Sequence, residues 1–275
     1  MSRRLGQLLS SRALRTAPLA TTGRALRLGA DVMTRRPERV IDVTVGDTSF
    51  SFLTYPGSAR TGSRGISVLG EHYEPLLARA AQYIQPGDVV IDGGANTGIF
   101  TCAFGTLGAT VHAFEPLEAT RAQLSRNVEL NRLEHRTRIV PVAIGAEDGM
   151  AEMNISRGPI SASIVSQSPG EHVDVEVQSL DSYLETANAG RVTFMKLDIE
   201  GAETAGLSGA AKLLVRDRPA LCLEVWREED LSEITGMLDP LNYRLCELTF
   251  DGEAPLPAPF RPIANLLALP EDNAH

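Results

Sequence analysis

Between Gly87 and Pro116 the chain reads GDVVIDGGANTGIFTCAFGTLGATVHAFEP, and no other stretch limits its fold so tightly. An apolar run (Val89, Val90, Ile91) ends on Asp92 and passes through Gly93-Gly94-Ala95-Asn96-Thr97-Gly98. It then enters a helical stretch and returns through a second apolar run to Glu115. The pattern predicts strand, tight turn, helix and strand, with an acid closing each strand. Glycines in the turn let the backbone approach a ligand where a Cβ would collide. An acid at the end of the second strand can accept both vicinal hydroxyls of a ribose. The segment reads as a nucleoside site on an α/β sheet.

The rest of the chain continues the alternation. Strands are expected at 88–92, 110–115, 138–143, 192–198 and 219–225, and helices at 97–107, 117–131, 203–215 and 228–238. Such alternation implies a parallel sheet covered on both faces. Residues 146–187 interrupt it with Gly/Ser/Pro-rich text and the alternating run Val173–Val177, an insertion carrying an extra strand and a flexible loop; SLDSYL (179–184) reads as a short helix. Upstream, Val40–Val45 and Ser49–Tyr55 flank Gly46-Asp47-Thr48 as a hairpin. A loop (Gly57–Gly65) follows, then a helix that Pro75 starts and Pro86-Gly87 stops. The expected division is a basic arm (1–39), a hairpin and lid helix (40–85) and a main domain (86–270).

The end of the chain narrows the architecture. Tyr243–Phe250 and Ile263–Leu269 read as strands, joined by a connector holding Pro255, Pro257, Pro259 and Pro262. No helix interior tolerates those prolines, and a short non-helical connection gives an antiparallel neighbour. The expected fold is a seven-stranded Rossmann-like sheet, mostly parallel, with the last strand reversed. That arrangement resembles class I S-adenosylmethionine-dependent methyltransferases; a dinucleotide-binding domain more often keeps its sheet parallel. In the turn, a dinucleotide site wants glycine at positions one, three and six, yet the third from Gly93 is Ala95. The acid-x-Gly-x-Gly-x-Gly pattern gives Asp92, Gly94, Asn96 and Gly98, and Asn tolerates left-handed backbone angles better than most residues.

Charge is unevenly divided. Residues 1–40 hold nine arginines against Asp31 and Glu38, a net +7, while the whole chain carries −9. So acidic a body is a poor partner for a phosphate backbone, which disfavours nucleic acid as the substrate. No run of 18 apolar residues occurs, so no transmembrane segment is expected. Three scattered cysteines (Cys102, Cys222, Cys246) fit reduced, packed thiols. The arm has three readings: the Arg/Ala bias of a bacterial cytoplasmic protein, a mitochondrial presequence, or a helix lying on anionic lipid. A bacterial cytoplasmic location is the primary expectation.

IDGGANTG, FEP and KLDIEGAE (196–203), in that order, resemble the FkbM family of methyltransferases over roughly residues 70–250. Tyr73-Glu74-Pro75, the Asn127/Asn131 pair and SLDSYL are also family-like. The resemblance implies S-adenosylmethionine as cofactor and a hydroxyl on a small molecule or sugar as acceptor. It places Asp92, with Glu74 and Asp198, at the methionine end of the cofactor. Gly94, Ala95, Asn96 and Gly98 would pass beneath it, Glu115 and Pro116 would meet the ribose, and Val142-Ala143 would face the adenine.

KLDIEGAE also has a chemical reading of its own. Lys196 and Asp198 alternate with apolar residues and share one strand face. Gly201 then opens a helix with Glu203 near its first turn, and Glu224 ends the adjacent strand. Asp198, Glu200, Glu203 and Glu224 are therefore expected on one rim, which requires Lys196, a cation or a raised pKa as compensation. Three uses remain open. Asp198 is a general base assisted by Glu224 and Lys196; or Asp198, Glu200 and Glu224 bind Mg²⁺; or Lys196 pairs with Glu203 or Glu224 in a structural ion network. His72 stands near this site, and Trp226 could wall an acceptor pocket or simply pack. A nicotinamide-dependent oxidoreductase and a non-catalytic relative are the alternatives in function. Oligomeric state is not legible.

Overall fold

The computed structural model describes residues 15–35, 37–55, 63–155 and 171–271. Helix α1 (Pro18–Met33) precedes a hairpin of β1 (Arg39–Val45) and β2 (Thr48–Thr54), turned through Gly46-Asp47 with Gly46 at φ +56°. Helices α2 (Ser63–Leu69) and α3 (Pro75–Tyr83) lead into β3 (Val89–Gly93), α4 (Ile99–Thr106), β4 (Thr110–Phe114), α5 (Glu118–Leu130) and β5 (Thr137–Val140). Next come β6 (Ala143–Ile144), β7 (Gly149–Asn154), β8 (His172–Gln178), α6 (Leu180–Ala187) and β9 (Val192–Leu197). Helices α7 (Glu203–Ser208) and α8 (Ala211–Asp217) are followed by β10 (Ala220–Val225), α9 (Glu228–Leu238), β11 (Tyr243–Thr249), β12 (Gly252–Ala254) and β13 (Ile263–Pro270).

The central sheet runs β12-β11-β13-β10-β9-β3-β4-β5. Strands β10, β9, β3, β4 and β5 pair in parallel, whereas β13 is antiparallel to both β10 and β11. The last strand is thus reversed as expected, but it inserts between its neighbours instead of lying at the edge. The expected count of seven is one short, because β12 folds back on β11 as an added edge strand. Both faces of the parallel strands are buried, so consecutive apolar residues diverge. Val90 and Phe194 join the core shared with the hairpin and α3–α5; Ile91 and Met195 join the core under α6–α9.

Other elements also depart from the pattern. The strand expected at 138–143 divides at Pro141, which has no N–H for the ladder. Ala143–Ile144 pairs instead with β8 in a small sheet, β6-β8-β7, built from the insertion. The helix expected at 203–215 breaks at Gly209, where a Cβ would sit 2.1 Å from the Gly145 carbonyl oxygen. Of the loop expected at 57–65, residues 57–62 lie outside the described residues and Ser63 already begins α2. The hairpin docks on α5 through two side-chain amides that imitate a neighbouring strand. Asn131 accepts from the Ser51 N–H (2.8 Å) and donates to its carbonyl (2.7 Å), and Asn127 accepts from the Leu53 N–H (2.7 Å). Among the described residues, no helix is long and apolar enough to cross a membrane.

Candidate functional site

A cleft opens at the carboxyl ends of β3, β4 and β9, the position an α/β sheet offers to ligands. Its wall includes Gly94, Asn96, Glu115 and Pro116 after β3 and β4, Val142, Ala143 and Met153 of the segment that follows, and Asp198, Ile199 and Glu200 after β9. Among the described residues, three acids and no Lys or Arg line it.

The glycine turn owes its shape to close packing. Gly94 has φ +72°, and a Cβ there would lie 1.9 Å from the Asp198 carbonyl oxygen, so only glycine fits. Asn96 takes φ +51° and accepts from the Thr97 N–H through its own side chain (2.8 Å), the local bond that suits Asn to this conformation. Gly98 has φ +94° and abuts Leu124. Asn127, fully buried, donates to the Thr97 carbonyl (2.8 Å), so one side chain ties the turn to the hairpin.

Glu115 is buried at the end of β4, with each oxygen accepting one backbone N–H: Oε2 from Asn96 (3.0 Å) and Oε1 from Leu117 (2.9 Å). Both oxygens keep a second lone-pair direction for another donor. Burial pushes its pKa up to about 7, against the lowering by those two N–H groups. Arg121 clamps the carbonyls of Glu115 and Pro116 from behind.

The second half of the site is charged. Lys196 is buried on β9, 3.1 Å from Asp198 Oδ2 and 4.7 Å from the centre of the Phe100 ring. Burial alone would lower its pKa, but Asp198, Asp92 and Glu74 together outweigh that and hold the ammonium charged. Asp92 is buried, accepts from the Thr101 hydroxyl (2.5 Å), and has no hydrogen-bond partner for Oδ1. Burial raises its pKa while Lys196 opposes the rise. Glu74 precedes α3 in extended backbone, and burial, reinforced by Asp198, pushes its carboxyl up to about 7. Burial and the neighbouring Glu74 likewise raise the Tyr73 phenol.

Glu224 occupies an irregularity in the β10–β13 ladder, between Leu223 and Val225. Burial and the neighbouring Asp198 drive its pKa well upward. Beyond β9 the backbone turns sharply, with Glu200 at φ +56° and Gly201 at φ +97°. Buried Glu203 holds this turn by accepting from the N–H groups of Ile199 (2.9 Å) and Gly201 (3.3 Å).

The expected residues thus divide. Gly94, Asn96, Glu115, Pro116, Ala143 and Asp198 line the cleft, whereas Ala95, Asp92, Gly98 and Glu74 do not. Ala95 is buried and donates to the Phe114 carbonyl. Lys196 pairs with Asp198, so its expected pairing with Glu203 or Glu224 is replaced. The Mg²⁺ set of Asp198, Glu200 and Glu224 finds no support, since among the described residues no group of three acids, histidines or cysteines could hold a metal. His72 bonds to Thr16 of the arm (2.8 Å) and does not line the cleft. Trp226 is 52% exposed and does not line this cleft either. No described residue of the expected lid lines the cleft. Sequence reasoning missed Thr101 and Arg121, and it noted the Asn127/Asn131 pair without a role.

The strand order, with one reversed strand inserted beside five parallel ones, defines the sheet of a class I methyltransferase. A family description of the methyltransferase FkbM domain matches residues 92–245, more than half the chain, and the protein belongs to that family. Similar solved structures include an FkbM methyltransferase from Methylobacillus flagellatus KT, at 17% identity and a TM-score of 0.45, covering 75% of this chain and 53% of that one. This chain thus spans about half the length of that relative. An rRNA methylase from Streptococcus thermophilus matches at 14% identity and TM-score 0.44, over 70% of this chain and 92% of that one. Aeropyrum pernix fibrillarin, solved with natively bound S-adenosyl-L-methionine, matches at 12% identity and TM-score 0.41, over 68% of each chain. No curated protein matches.

Proposed function

We propose that this protein transfers a methyl group from S-adenosylmethionine to a hydroxyl of a small molecule or carbohydrate. The observation that carries the reading is the charge of the site: a cleft that, among the described residues, is lined by acids and no bases, beside a buried cluster of acids around Lys196. Glu74, Asp92, Asp198 and Glu224 outnumber Lys196 there, a surplus that favours a cationic ligand end. The same surplus disfavours the pyrophosphate of a dinucleotide and the backbone of a nucleic acid.

The residues present fit such a cofactor. Glu115 has acceptor capacity for ribose hydroxyls, Val142, Ala143 and Met153 offer an apolar wall for a base, and Asp92 Oδ1 is a buried acceptor without a protein donor. Bound there, S-adenosylmethionine supplies a methyl group already activated for displacement by an oxygen nucleophile. Asp198 takes the proton that the acceptor hydroxyl gives up as its bond to carbon forms. Glu224, beside Asp198, and Lys196, 3.1 Å from it, hold that carboxylate in place. Positioning supplies the rest of the acceleration.

Titration calorimetry with S-adenosylhomocysteine and with NADH tests the cofactor assignment. The expected result is binding of the first and none of the second; NADH binding alone would restore the oxidoreductase. If S-adenosylhomocysteine binds but Asp198→Ala leaves both binding and methyl transfer unchanged, the Lys196–Asp198 pair is structural.

A further inference from the structure

Helix α1 is built with its polarity inverted. Its fully buried residues are polar. Thr21 and Asp31 are buried, Arg24 donates to the Val68 carbonyl (2.9 Å), and Asp31 pairs with Arg39. Its outward face carries Leu19, Leu26 and Met33, which are 88%, 72% and 86% exposed. These three are spaced seven residues apart, so they fall on one stripe that runs about 21 Å along the helix. Among the described residues, five of the ten exposed large apolar side chains lie between Leu19 and Val40, so the exposure is a concentrated feature and not scatter.

The charge around the stripe selects its occupant. Asp31 is the only acid of α1 and it faces inward, whereas Arg15, Arg27 and Arg35 in and beside the helix are exposed. The preceding sequence adds Arg3, Arg4 and Arg12 with no acid. A second copy of the helix, or the chain's own first residues, would set like charges against one another. An apolar stripe on a helix whose exposed charged residues are all basic fits an interface of apolar chains beneath anionic headgroups.

We infer that α1 is a membrane-surface helix, which seats the protein on anionic bilayers by inserting Leu19, Leu26 and Met33 while the flanking arginines meet lipid headgroups. The buried polar residues are what hold the helix to the body in that orientation. The acidic body is then turned away from the lipid.

Flotation of the full-length protein with vesicles tests this, using phosphatidylcholine alone and phosphatidylcholine with about 30% phosphatidylglycerol. Binding to the anionic vesicles is expected to exceed that to neutral ones by about tenfold or more and to fall in 0.5 M salt. The triple variant Leu19→Ser, Leu26→Ser, Met33→Ser should lose most of the binding. The variant Arg15→Gln, Arg27→Gln, Arg35→Gln should lose the preference for anionic lipid. All six positions are exposed, and unchanged S-adenosylhomocysteine affinity verifies that both variants are folded. No vesicle binding by the wild-type chain, or equal binding by the serine variant, overturns the inference. Light scattering that shows a dimer abolished by the serine substitutions would assign the stripe to a second copy instead.

Discussion

The two halves of the cleft are built on different principles. Around Glu115 the site is made of backbone: a turn fixed by Gly94, Asn96 and Gly98, and one carboxylate held by two N–H groups. Around Asp198 it is made of side chains that hold one another, with several acids around a single lysine. In the proposed function the first half sets what binds. The second is electrostatically coupled, so changing any member alters the rest, as chemistry on a proton requires.

Lys196→Met should show the largest effect. It strands Asp92, Asp198 and Glu74 in a desolvated site and should cost about 3–5 kcal/mol of stability in urea denaturation. Adding Asp198→Asn should recover part of that loss; no recovery would mean the two groups are not coupled.

A smaller effect is expected where the backbone half is anchored. Asn127→Asp keeps an acceptor for Leu53 but removes the donor to the Thr97 carbonyl. S-adenosylhomocysteine affinity should fall by about 1–3 kcal/mol. Asn131→Ala loosens the hairpin at Ser51 without touching the turn, so it should lower the melting temperature and spare affinity. Equal losses in both would reduce Asn127 to a general packing role.

The pH dependence should be mildest. Glu115 titrates near 7, and its protonated form offers ribose one acceptor fewer, so affinity should weaken as pH falls from 8 to 6 by at most about tenfold per unit. Stability of the ligand-free protein should move the other way. Glu115 and Glu74 titrate near 7 when folded against 4.5 ordinarily, so the folded form holds more protons in that window. Their contribution is present below about 4.5 and is lost as pH rises through about 7. Glu115→Gln should flatten the affinity profile.

Local patterns made the backbone half legible in sequence. Strand ends at Asp92 and Glu115 follow from apolar runs, and the glycine spacing marks the turn. What could not be read was long-range. Thr101 bonds Asp92 across a turn, and Asn127 reaches a hairpin 74 positions away in sequence, so neither bond leaves a local signature. The charged half was half visible. Alternation placed Lys196 beside Asp198, yet choosing between Asp198, Glu203 and Glu224 as its partner needed the positive-φ turn at Glu200, which aims Glu203 at backbone N–H groups. Pro141 is the local signal that should have ended the strand before residue 143. The inverted polarity of α1 depends on which side meets the body, and periodicity alone does not say.

The central claim is this division of labour, and paired calorimetry of two variants with S-adenosylhomocysteine tests it most directly. Glu115→Ala should weaken binding by about 1–3 kcal/mol, while Asp198→Asn should bind within about threefold of wild type. Intact affinity in Glu115→Ala, with the loss falling on Asp198→Asn, would contradict it.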